Sequence, residues 1–392
     1  MLASFRVASA TAASATSTAT AERLQWESIL AGVKTVGWYE NHGETNRPAL
    51  VIVGGFLGAG KTTLILKAAE LLSACGKRPA IILNDQDSGL VDTQHAIARG
   101  NLVREVADGC FCCRFSEFIA AAAELTTYKP DVIFAEPVGS CTDLCATVIR
   151  PIQDLYGEHF RVASLTVLVD PNAAQDCFGP DVNSHLRYLA EHQLREADVV
   201  CTTREDLCRN APDLPFPIDF RLSGLTGQGV REWLEEVLHS QRIPGTRPLD
   251  IDYKQYAEAE AALGWLNMHA QVDLVAPLSP SLLCGPLLDS IEAALTQVGI
   301  TIAHLKILDR TSAGWIKASI CTNSAEPVPE GDLLADPSTH HEFALNLRAL
   351  ARPEQLEELV SASVARLDGD LRITHFHAFS PPAPRPEHRR PK

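Results

Sequence analysis

The chain has 392 residues, a formal net charge of −15 and a pI of about 5.3. Its length points to two domains, or three. Basic residues cluster only in the final "PEHRRPK", which argues against a phosphate-tracking nucleic-acid surface, and no apolar run approaches the ~18 residues of a membrane span. Neither nucleic acid nor membrane is therefore expected as a partner.

Residues 1–47 begin "MLASFRVASATAASATSTAT", rich in Ala, Ser and Thr with one Arg and no acid. This reads as a disordered extension of a cytoplasmic protein; an organellar transit peptide is the alternative. The stretch lacks the apolar core of a secretory signal. The eleven cysteines of the chain are accordingly expected to be free or metal-bound rather than disulfide-paired.

From "PALVIVGGFLGAGKTT" onward, short apolar runs alternate with helical patterns. Strands are predicted at "ALVIVG", "RPAIILND", "NLVREVA", "DVIFAEP", "VASLTVLVDP", "ADVVCTT" and "PIDFRLSG". Helices are predicted at "KTTLILKAAELLSACG", "FSEFIAAAAELTTY", "HLRYLAEHQLREA" and "VREWLEEVLHS". Near-continuous apolar strands separated by helices imply a mainly parallel sheet covered on both faces. This α/β domain, doubly wound, is expected over residues 48–241. Residues 242–255 carry the Pro and Gly of a linker. Residues 256–380 then read as a smaller α+β domain of split β-α-β character, and residues 381–392 as an extended tail.

"GFLGAGKT" at residues 55–62 fits G-x-x-x-x-G-K-[ST] and sits directly after an apolar strand, where it opens a helix. A P-loop NTPase needs that context. Gly55, Gly58 and Gly60 let the backbone curl so that its N–H groups, with those of Ala59 and Thr63, face the phosphates. Lys61 can bridge β- and γ-phosphates, and Thr62 offers a hydroxyl to Mg²⁺. Glu136 ends the buried strand of "DVIFAEPVGS" and can hold Mg²⁺ or its water, while the Gly139 N–H can sense the γ-phosphate. Lys61, Glu136 and Gly139 are thus the candidate catalytic set. Asp85, with Asp87 and Asp92, is a further candidate for the Mg²⁺ shell; ordinary loop polarity is the competing reading of these acids.

The base is read at "CTTREDL". Asp206 occupies the place of the acid that accepts from the guanine N1–H and exocyclic amine, which adenine cannot match. Arg204 can lie against the base plane, and Thr203 stands where an Asn is usual. Ser223 and Gly224 in "LSGLTGQGV" fit a loop whose backbone meets guanine O6. GTP is therefore expected over ATP.

Three cysteines fall within four positions in "DGCFCCRF". Thiolates suit borderline-soft ions such as Zn²⁺, and the i, i+2, i+3 spacing of Cys110, Cys112 and Cys113 across a turn can bring the sulfurs to one ion. Cys141 and Cys145 read as packing residues. His340, His341, His375 and His377 read as exposed or strand residues rather than ligands.

The order and spacing of "GGFLGAGKTT", "NDQ…LVD", "GCFCC", "EPVGS", "TREDL" and "SGLTGQG" resemble the CobW-like metallochaperone GTPases, relatives of the GTPases that insert nickel into hydrogenase and urease. Thr203 and the lack of a long His-rich tract depart from the pattern. The resemblance implies a GTPase that cycles between GTP and GDP with Mg²⁺, binds Zn²⁺ or another transition metal, and hands it to an acceptor protein. A nucleotide- or metal-dependent homodimer fits that scheme. Two other readings remain open: a nucleotide-binding metal sensor or store, and a P-loop ATPase or small-molecule kinase. No arginine finger is identifiable in the chain, so unassisted hydrolysis is expected to be slow.

Overall fold

The computed structural model describes residues 47–87, 91–179, 183–207, 216–321 and 327–391. The expected leader lies outside the described residues apart from Arg47. Two sheets organise the rest.

The first is parallel, in the order β3-β2-β4-β1-β6-β7-β8 with β5 beside β1. Its strands are β1 Ala49–Gly55, β2 Pro79–Asn84, β3 Val103–Val106, β4 Val132–Glu136, β5 Arg161–Val162, β6 Thr166–Val169, β7 Val199–Thr202 and β8 Phe220–Arg221. All seven residues of β1 are buried, as a central strand flanked by helices on both faces requires. The helices are α1 Lys61–Ala74, α2 Val91–Ala98, α3 Phe115–Thr126, α4 Arg150–Tyr156, α5 Pro171–Phe178, α6 Ser184–Glu196 and α7 Val230–His239, with a π-turn at Cys145–Ile149 leading into α4. This is the α/β P-loop architecture read from the alternation of runs. Helix α8, Tyr253–Ala261, straddles residue 256, where the second domain was expected to begin, and its Tyr256 and Ala259 sit in the core of the first sheet's lobe.

The second sheet is antiparallel, in the order β12-β11-β10-β13-β9-β14. Its strands are β9 Gly264–Leu278, β10 Ile302–Thr311, β11 Gly314–Ile320, β12 Val328–Gly331, β13 Ser338–Ala349 and β14 Gly369–Phe379. Side chains alternate between faces along a strand, and this sheet uses both. Leu266, Met268, Ala270, Leu305, Ile307 and Leu345 point into a core closed by α9 Pro280–Gln297 and α10 Pro353–Val364. The intervening residues, among them Asn267, His304, Lys306, Lys317, Asn346 and Arg348, form a polar face turned to the first lobe. Several of them line one pocket with the phosphate loop. Beyond β14 the chain has no regular structure and runs back over the first lobe, where Arg389 donates to Asp143 and Arg390 pairs with Asp154.

Candidate nucleotide and metal site

The loop between β1 and α1 turns through left-handed backbone at Gly58 (φ 78°) and Gly60 (φ 85°), a region that costs a residue with Cβ. Gly58 is also packed out: a Cβ there would lie 2.8 Å from Cys321 Sγ. The loop folds over Lys61, whose Nζ donates to the carbonyls of Gly55 (2.9 Å) and Phe56 (3.2 Å). Thr62 Oγ1 donates to Glu136 Oε1 at 3.1 Å, while Glu136 Oε2 is buried with no hydrogen-bond partner. A hydroxyl beside an unsatisfied buried carboxylate oxygen is an oxygen donor set that fits Mg²⁺. Burial pushes the Glu136 carboxyl up and the Lys61 ammonium down, and each opposes the other's shift. Gly139 approaches so closely that a Cβ would meet Leu57 Cδ2 at 2.8 Å and Lys61 Nζ at 3.1 Å.

At the base end, Thr203 Oγ1 donates to the Ala59 carbonyl at 3.0 Å and so ties β7 to the phosphate loop. Arg204, with φ 55°, is committed elsewhere than to a base plane: it pairs with Asp170 at 3.1 Å and donates to Gly58 O and Cys321 Sγ. Asp206 lines the pocket and is exposed. Ser223 is buried, and its Oγ accepts from Thr226 N. A Cβ on Gly224 would meet Leu64 N at 2.9 Å, which seats this turn on the start of α1.

The acids after β2 meet cations from the second sheet. Arg348 donates to Asp85 Oδ2 at 3.0 Å and lies over Trp265, 4.0 Å from its ring. Asp92 pairs with Lys306, and with Lys317 at 3.7 Å. Burial alone would lower Lys306, but Asp92 and Glu136 together hold it above its ordinary value. Burial and the Lys306 charge keep His304 well below its ordinary range, hence neutral. A lone charge in such a place costs several kcal/mol, and each of these acids faces a cation from the second sheet. Lys306, Lys317, Arg348 and His304 escaped the sequence reading. The only signal was alternation of polar residues within apolar strands, and that pattern ordinarily marks a solvent face.

The cysteine turn begins with left-handed backbone at Asp108 and closes through Cys113 N–H and Arg114 N–H donating to Cys110 O. Its sulfurs lie 2.8 Å (Cys110–Cys112), 3.3 Å (Cys110–Cys113) and 3.8 Å (Cys112–Cys113) apart. Sulfurs on one tetrahedral Zn²⁺ sit about 3.8 Å apart, so the three can reach one ion with small adjustments. The thiols of Cys112, Cys113 and Cys141 hold Cys110 well below its ordinary value. Cys141 thus lies beside the cluster, which the sequence did not indicate; Cys145 is packed elsewhere. Asn84 anchors the turn: its Nδ2 donates to Val106 O and Gly109 O, and its Oδ1 accepts from Phe111 N, all within 2.9 Å. Asn84 also lines the nucleotide pocket. The tail covers the turn from outside. Arg385 N donates to Cys113 Sγ at 3.1 Å and Glu387 N to Cys112 O at 2.9 Å. Of the four histidines, His341 is buried against Asp309 at 2.7 Å and His340 is exposed beside Asp273. His375 and His377 meet at Asp87.

Comparison with known proteins bears on the first lobe. The family model of the CobW/HypB/UreG nucleotide-binding domain matches residues 49–215. The zinc chaperone YjiA of Escherichia coli is 28% identical over 172 residues, 43% of this chain and 53% of that protein. The zinc chaperone CobW of Pseudomonas aeruginosa is 30% identical over 187 residues, 40% of this chain and 48% of its own. The chain thus spans about half the length of these relatives. Among solved structures, HypB from Helicobacter pylori in complex with nickel aligns with a TM-score of 0.34 and 16% identity, covering 53% of this chain and 92% of that one. Phosphate loop, acidic strand end, cysteine turn and family model coincide in one stretch, residues 49–215, which is similar to the CobW/HypB/UreG nucleotide-binding domain.

Proposed function

We propose that the chain is a GTP-binding and GTP-hydrolysing metallochaperone. It carries Zn²⁺ or a similar ion as cargo on Cys110, Cys112 and Cys113 and passes it to an acceptor protein. The observation that carries this reading is Asn84: one side chain lines the candidate phosphate pocket, donates to Gly109 O and accepts from Phe111 N in the cysteine turn, and donates to Val106 O at the end of β3. A change at the phosphates thereby has a route of one residue to the sulfurs.

In this reading Lys61 and the backbone N–H groups of residues 55–63 hold the β- and γ-phosphates, and Asp206 selects guanine. The loop of Ser223 and Gly224 frames the base, while Thr203 and Arg204 brace the phosphate loop. Thr62 and Glu136, with Asp85 near, would hold Mg²⁺, which would offset charge on the transferring phosphoryl group. Lys306 is the cation within the chain that takes the part of a finger. On leaving Asp92 for the γ-phosphate it would free the start of α2. Gly139 sits against Lys61 with no side chain, so its N–H can approach the same phosphate. Cys141 is the nearest source of a fourth sulfur ligand.

The test is turnover and metal content of the purified full chain. GTP is expected to be bound and hydrolysed in preference to ATP, and Cys112→Ser/Cys113→Ser to lose one zinc equivalent. Equal affinity for the two nucleotides, or zinc content unchanged in the double variant, contradicts the proposal.

A further inference from the structure

We propose that Asp87, His375 and His377 form a second transition-metal site, independent of the cysteine turn. His375 and His377 are two apart on β14, so their rings leave the same face of the sheet. That face meets the chain just beyond β2. Asp87 Oδ2 lies 3.1 Å from His375 Nε2 and 3.2 Å from His377 Nδ1, and the three ligand atoms fall within 4.8 Å of one another. Two ligands held at about 2.0–2.1 Å from one tetrahedral ion are about 3.3–3.4 Å apart. Little rearrangement is needed to place an ion among them.

The surroundings fit a metal as well. A site needs its ligands oriented by neighbours. Asn267 Nδ2 donates to Asp87 Oδ2 at 3.0 Å, and Asn267 Oδ1 is itself held by Asn346 Nδ2 (2.9 Å) and Arg348 (2.8 Å). Asp87 is therefore fixed from the protein side. The imidazoles are open, with 38% and 53% of their side chains exposed, which leaves a way in for an ion. His269, paired with His375 across β9 and β14, brings a third ring to 5.8 Å from that of His375. Two imidazoles and a carboxylate suit divalent Zn, Co, Ni or Fe, whereas the cysteine turn offers a soft sulfur set. The ion would join the two lobes at the acidic segment that continues to Asp92 and the phosphate pocket.

The test uses the full chain and counts metal by equilibrium dialysis against Zn²⁺, with Co²⁺ spectra as a second readout. His375→Ala/His377→Ala is expected to bind one equivalent fewer than the native protein. Its cobalt spectrum should keep the thiolate-to-metal charge-transfer band and lose the component without one. Cys112→Ser/Cys113→Ser should show the converse. The two rings are exposed, so their loss leaves the core packing intact; a circular dichroism melt matching the native protein verifies this. Because the site uses no thiol, failure of the cysteine proposal leaves this count unaffected. If the histidine variant binds as many equivalents as the native chain, with unchanged affinity and an unchanged cobalt spectrum, Asp87 and its histidines form only a hydrogen-bonded contact and the inference fails.

Discussion

The phosphate loop and the polar face of the second sheet meet in one pocket but are built in opposite ways. The loop gathers its donors from eight consecutive residues, 55–62, and fixes them by glycine backbone geometry. The sheet gathers Lys306, Lys317 and Arg348 from β10, β11 and β13, each opposite an acid of the nucleotide lobe. One device sets backbone N–H groups by glycine geometry. The other holds cations on carboxylates. The first is complete within one stretch of chain, whereas the second needs residues of both lobes side by side.

Substitutions can separate the two devices. Lys61→Ala should cost turnover most, on the order of 10³-fold, because Lys61 is the residue proposed to hold the β- and γ-phosphates. Steady-state phosphate release measures it, and unimpaired release removes the loop from the active site. Lys306→Ala should cost roughly 10²-fold in kcat with little change in GTP affinity, since Lys317 remains beside Asp92. If kcat is unchanged, the sheet only covers the pocket. Asp206→Asn removes charge-assisted hydrogen bonds worth about 1.5–3 kcal/mol, a loss of roughly 10- to 150-fold in GTP affinity, and should raise the affinity for xanthosine triphosphate. Nucleotide competition titrations decide it.

A smaller effect separates packing from catalysis. Glu196 lies inside the first lobe, accepting from Cys145 N and Thr142 Oγ1. Burial pushes its carboxyl from 4.5 up to about 8. The folded state therefore holds this proton more tightly than the unfolded chain. Its stabilisation is complete below the unfolded value and is lost as pH rises through the folded one. Thermal midpoints should fall as pH climbs from about 5 to about 9, and Glu196→Gln should flatten that fall without altering kcat at neutral pH. An equally steep fall in the variant assigns it to other groups.

The comparison also explains what was legible in the sequence. Gly55, Gly58, Gly60, Lys61 and Thr62 are contiguous, and the cysteine turn spans four positions, so pattern alone located them. Runs such as "ALVIVG" announced buried parallel strands because both faces of β1 are covered. By contrast, His304 and Lys306 sit at alternate positions of β10, as do Lys317 and Ser319 in β11; period two reads the same whether the polar face meets water or another lobe. Arg204 keeps a motif position, but its guanidinium answers Asp170, 34 residues earlier in no recognisable pattern. The tail's contacts with Cys112 and Cys113 come from a segment of low hydrophobicity with no period at all. Helices such as α2 and α8 are too short for periodicity to stand out.

In the proposed function, nucleotide state and metal affinity are coupled through Asn84 and the cysteine turn. The direct measurement is a competition titration of the full chain with a chromogenic zinc chelator, in GDP and in a non-hydrolysable GTP analogue. His375→Ala/His377→Ala serves as the background, so that only the thiol site is read. Coupling between two sites is typically 1–3 kcal/mol, roughly 5- to 150-fold in affinity. Zinc affinity is expected to differ between the two nucleotides by a factor in that range, and the difference to disappear in Cys112→Ser/Cys113→Ser. The same zinc affinity in both nucleotides contradicts it.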